Sequence, residues 1–132
     1  MRLEIVKEGV FTPEFNGNKK LPVTDQITVR YKTPTVAIKN RCRKKPQAKG
    51  IAASDGTLDR MEIVIEKDDV STLTEMLIAI SGCSYGGGDG KDHAVATAQD
   101  LIDAPVAFEP LLKEIVAEFD SILDHPGPDE KN

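Results

Sequence analysis

The sequence predicts an α+β fold: a small N-terminal antiparallel sheet of three or four strands, packed by three or four mostly C-terminal helices. Three observations predict it. Ile27, Val29 and Tyr31 alternate with Thr28, Arg30 and Lys32, the period of two that gives a strand one apolar and one basic face. Met61, Ile63 and Ile65 alternate in the same way with Glu62, Val64 and Glu66. Beyond Asp69 the period lengthens: Val70, Leu73, Leu77 and Ile80 recur at helical spacing, and so do Phe108, Leu112, Ile115, Phe119 and Ile122. Strands first and helices last is an α+β order.

Each element has a local reason. Leu3 to Val6 is a short strand candidate that Gly9 to Phe11 extend, and Asn16-Gly17 supplies the positive φ of a tight turn. The strand from Ile27 to Lys32 breaks at Thr33-Pro34, where Thr caps a helix and Pro suits its first position; a helix from Pro34 to about Lys45 follows. Its apolar face, with Val36, Ala37 and Ile38, is meagre. Residues 46–57 have the composition of a linker or mobile loop. Glu62 and Glu66 favour pairing the second good strand with the basic strand at 27–32. Asp69 or Ser71 caps a helix running to Ile80, which ends at Ser81-Gly82. The Gly-rich segment at 84–94 is a second mobile loop or a β-turn. Thr97-Ala-Gln-Asp100 has the shape of a capping box, with Asp in place of Glu, and Pro105 limits its short helix. Pro110 fits a first turn, so the last helix starts near Glu109 and ends at Asp124. Residues 1–124 form one domain on this reading, and 125–132 a frayed tail.

Composition narrows the class. At 132 residues with 39% apolar and 30% charged content, the chain is that of one ordinary globular domain rather than a disordered one. No apolar run approaches the ~20 residues that span a bilayer, and the first residues lack a signal peptide's apolar stretch. Cys42 and Cys83 are too few for a disulfide framework or a zinc site, which points to reduced thiols in a cytoplasm.

Charge is the strongest functional signal. Residues 26–54 hold no Asp or Glu but eight bases, and residues 1–54 carry a net +8 against −13 for the remainder. Within the block, Arg41, Arg43, Lys44, Lys45 and Lys49 are the candidate partner-binding residues. Such a segment suits either a protein partner of complementary charge, including another copy of this chain, or phosphates of a nucleic acid with strong salt dependence. Tyr31 is the only aromatic there to stack on a base, and the chain is acidic overall, so nucleic acid is the weaker alternative. The C-terminal stripe Phe108, Leu112, Ile115 and Phe119 is a second candidate contact surface, although a chain this short needs such a helix for its core.

Catalytic motifs are not evident. Gly90-Lys91 is followed by Asp92, and Tyr85 stands where a phosphate loop needs its first Gly. Asp89, Asp92 and His93 are possible metal ligands with no second cluster to complete them, and Asp55 to Asp59 fails likewise. Arg41 and Arg43 flank Cys42, an arrangement that can activate a thiol, but an incidental thiol in a basic segment is simpler. No acid, base, nucleophile or metal set stands at usable spacing, so no enzyme and no cofactor is expected.

The opening Met1 to Lys19, the strand Asp25 to Tyr31 ending in Thr33-Pro-Thr, the Val70 to Ile80 segment, Ala96 to Ile102 and the helix around Leu111 to Ile115 together carry a family likeness. In pattern and order of elements the chain resembles the tail assembly chaperones of long-tailed bacteriophages over residues 1–124. It departs from them at the basic stretch and the Gly-rich loop. The resemblance implies a non-enzymatic phage or prophage protein of the bacterial host's cytoplasm. It also implies the tape-measure protein and tail-tube subunits as partners. Such genes often make a longer product by frameshifting. Glu130-Lys131-Asn132 can be encoded by a slippery adenine run, which the gene sequence tests.

Overall fold

A computed structural model describes residues 1–43, 47–52, 58–64 and 68–125. The fold is α+β. Its main sheet has three antiparallel strands, with β2 (Thr28–Lys32) between β1 (Glu8–Phe11) and the later β5 (Leu77–Ser81). Glu8 lies opposite Lys32 and Phe11 opposite Val29, while Val29 also faces Ile80 across the other ladder. Val29 is fully buried and Arg30 exposed, as the alternation predicts.

The first strand begins later than expected. Leu3 to Val6 has no regular structure and is exposed. The last ladder bond runs from Thr33 N–H to the Lys7 carbonyl, and the next residue of that strand in phase to bond, Thr35, is already the cap of the helix that follows. Asn16 and Gly17 both take positive φ, within short 3-10 turns at Phe15–Lys20. Asn18 then fixes the return to β2. Its amide donates to the carbonyls of Pro13 (2.8 Å) and Ile27 (3.0 Å), and its oxygen accepts from Ile27 N (2.6 Å).

The helix α1 (Val36–Cys42) is shorter than the expected Pro34 to Lys45, and its cap is Thr35 rather than Thr33. Its buried face is Ile38 and Cys42, while Val36 is 79% exposed. Two further expectations change together. Part of the supposed linker 46–57 is a strand, β3 (Gln47–Ala52), and it pairs antiparallel with β4 (Leu58–Val64). Residues 53–57 lie outside the described residues. The strand at 58–64 therefore does not pair with β2, both of whose edges are already occupied.

The largest departure follows α2 (Asp69–Met76), capped by Asp68, which accepts from Ser71 N at 3.1 Å. The expected helix to Ile80 stops at Met76, and Leu77 opens β5 without a loop. Leu77-Ile-Ala-Ile80 is apolar at either period, and the open edge of β2 supplies the ladder that decides it. Gly82, at φ +75°, makes the exit; a Cβ there would stand 2.5 Å from the Gln26 carbonyl.

The Gly-rich segment, expected as a mobile loop or a β-turn, is a hairpin: β6 (Ser84–Gly86) pairs with β7 (Asp92–Ala94), with Gly88 and Gly90 at positive φ between them. The helix α3 (Ala98–Ile102) carries the predicted capping box, Thr97 with Asp100. The helix α4 (Glu109–Asp124) starts and stops where its sequence predicts, with Pro110 in the first turn. Leu111, Ile115, Val116, Phe119 and Leu123 of α4 meet Leu73 and Met76 of α2 and Val29 of β2 in one core. The tail beyond His125 lies outside the described residues.

Candidate functional site

The basic segment meets carboxylates of the later chain. Arg41, at the end of α1, donates to Glu75 of α2 at 2.9 Å. That hydrogen bond raises the Arg41 pKa and, from the other side, lowers the Glu75 pKa. Arg43 is more deeply engaged. Its side chain is 10% exposed and lies 3.1 Å from both Asp120 and Asp124 of α4. The contact to Asp120 Oδ1 is an ion pair without aligned hydrogen-bond geometry; the Asp124 contact is a hydrogen bond. Earlier in the block, Arg30 reaches Glu8 across the β1–β2 ladder at 3.0 Å. Lys49 stands opposite Glu62 in the β3–β4 register. Lys44 and Lys45 lie outside the described residues. The structure therefore does not present Arg41 and Arg43 as free cations.

The helix stripe divides in two. Ile115 and Phe119 are 0% exposed and belong to the core, with Phe119 against Tyr31 at 5.5 Å between ring centroids. Phe108 and Leu112 are half-buried at the other end of the stripe. Around Phe108 the fold assembles a ledge that the sequence did not disclose. Phe15 packs on it at 5.9 Å and Tyr85, from β6, at 5.6 Å; Tyr85 in turn stacks on His93 of β7 at 5.1 Å. Glu114 fixes Phe15 by accepting from Glu14 N (2.6 Å) and Phe15 N (3.1 Å). Val106, two residues before Phe108, is 81% exposed. The one available signal was scarcity: with four Phe and two Tyr in the chain, three of six aromatics converge here.

The other chemical candidates stay apart or turn inward. His93 Nε2 is 3.1 Å from Asp89, which also accepts from Lys91 N, so this pair closes the hairpin. No group of three His, Cys, Asp or Glu that could hold a metal forms among the described residues. Cys42 is buried, and burial pushes its thiol pKa up, outweighing the Thr72 hydroxyl and the nearby guanidinium of Arg43. The flanking arginines do not activate it; they point to Glu75 and to α4. No helix among the described residues is long and apolar enough to cross a membrane. A scan against protein-family models finds no match, and searches of curated proteins and of solved structures find no significant similarity to this chain.

Proposed function

We propose that this chain is a non-enzymatic tail-assembly protein of a long-tailed phage or prophage. On this reading it acts in the bacterial cytoplasm as a holdase for apolar helical segments of a tape-measure protein and as an adaptor for tail-tube subunits. The ledge of Phe15, Tyr85 and Phe108 carries the reading, with Leu112 and exposed Val106 beside it. Three sequence-distant segments converge to hold half-exposed rings beside a helix start, the kind of apolar surface on which an amphipathic helix docks. Glu14 and Glu109 at its rim are acidic and exposed, which suits a helix with basic flanks and disfavours a nucleic-acid backbone. Two of the bases that the nucleic-acid alternative would use, Arg41 and Arg43, already meet carboxylates, which favours the protein partner.

The test is co-expression with a tape-measure protein encoded nearby. The wild-type chain should keep that protein soluble and co-purify with it. Val106→Asp, at a largely exposed position, should abolish co-purification without moving the thermal unfolding midpoint. Phe108→Ala should abolish it too, at a cost of about 1–2 kcal/mol in stability for a half-buried ring. Undiminished binding by both variants removes the ledge as the contact surface. A gene neighbourhood without phage morphogenesis genes removes the wider reading.

A further inference from the structure

Half of the ten large apolar side chains exposed among the described residues lie in the first ten positions: Met1, Leu3, Ile5, Val6 and Val10. A monomer seldom concentrates its exposed apolar side chains in one strip. This strip runs directly into β1, an outer strand of the sheet. Its last tie is Thr33, whose N–H donates to the Lys7 carbonyl at 3.1 Å and whose hydroxyl donates to the Val6 carbonyl. Among the described residues, the main chain of Met1 to Ile5 makes no hydrogen bond. An exposed arm without regular structure of its own, whose amides and carbonyls are unpaired, is open to pairing with another strand.

We propose that residues 2–8 of two copies pair antiparallel across a two-fold axis at Ile5, so that the arm is a homodimer interface. The occupant is a second copy because the strip is complementary to itself. A two-fold antiparallel pair must set one residue opposite its own copy, since hydrogen-bonded and non-hydrogen-bonded pairs alternate. That leaves few registers. An axis at Glu4, Lys7 or Glu8 puts like charges face to face, and an axis at Val6 puts Glu4 against Glu8. An axis at Leu3 pairs residues 1–5 alone. An axis at Ile5 puts Ile5 against itself, Leu3 against the aliphatic stem of Lys7, Glu4 against Val6, and Arg2 against Glu8 twice. In the monomer Arg2 meets, among the described residues, only the exposed Glu4 at 3.5 Å, and Glu8 already meets Arg30; the dimer sets Glu8 between two arginines. This interface is independent of the tail-assembly reading.

Sedimentation equilibrium of the full chain should show a monomer–dimer equilibrium, and Arg2→Glu should weaken it about tenfold by replacing two attractive contacts with two repulsive ones. Ile5→Cys should form an intermolecular disulfide quickly under mild oxidation, because directly opposed strand residues bring Cα atoms within disulfide range. Leu3→Cys and Lys7→Cys, two residues to either side of the axis, should cross-link far more slowly. Cys42 and Cys83 are buried, so the cross-link reports the introduced thiol. A strictly monomeric protein overturns the proposal. A dimer that cross-links fastest through Leu3→Cys or Lys7→Cys, or is indifferent to Arg2→Glu, overturns this interface.

Discussion

Asn18 shows how much one residue can fix. It is 2% exposed and one of two buried polar residues among those described, and its side chain makes three hydrogen bonds to main chain on either side of the 3-10 turns. Buried amides of this kind are costly to remove, because the carbonyls they satisfied stay buried. Asn18→Ala should lose about 2–4 kcal/mol in urea unfolding. Asn18→Asp should lose at least as much, since a carboxylate would face the carbonyls of Pro13 and Ile27 with no donor. Equal stability of wild type and Asn18→Ala would show that the turn is held otherwise. The sequence placed the turn correctly through Asn16-Gly17, but gave no sign that Asn18 was its anchor: a polar residue in a polar loop looks solvated until its neighbours are known.

Among the elements, the ones with local signals formed as their residues predict. The capping box at α3 is such a case, because Thr97 and Asp100 need only each other and the nearby main chain. Hydrogen bonds from Ala96 N–H, then from Thr97, hold the Asp100 pKa below the ordinary carboxylate value. A carboxylate lowered on folding stabilises fully above its unfolded pKa of about 3.9, and loses that contribution as pH falls through the folded value. Asp100→Asn, which cannot be protonated there, should therefore show a shallower fall in stability between about pH 5 and 3 than wild type. Parallel curves would mean that the box contributes nothing to acid sensitivity. The α2–β5 junction is the opposite case. Leu77 to Ile80 suits helix and strand equally, and only the free edge of β2 makes it a strand.

Across the whole molecule the divided charge is partly resolved within the fold. Residues 1–54 carry +8 and the remainder −13, and Arg41 and Arg43 join the two through Glu75, Asp120 and Asp124. Arg43 ties the end of α1 to the last turns of α4, about eighty residues away along the chain. Arg43→Ala would leave Asp120, 16% exposed, without its cation, and should cost about 2–3 kcal/mol after allowing for the more exposed Asp124. Arg43→Lys should recover only part, since one ammonium cannot reach both carboxylates in the same geometry. A loss no greater than that of an exposed arginine such as Arg2 would show that the bridge is ornamental.

The sequence by itself determined the α+β class, the basic-faced strand, the turn at Asn16-Gly17, the capping box and the limits of α4. These rest on period, capping and backbone preference, all of which act within a few residues. Tertiary structure alone decided which strands pair, where α2 gives way to β5, and which half of the α4 stripe is buried. It also decided that Phe15, Tyr85 and Phe108 meet and that Arg43 faces α4. Those outcomes depend on which edges and faces remain open once other segments have docked, and segments far apart in the chain share no local pattern that could announce it.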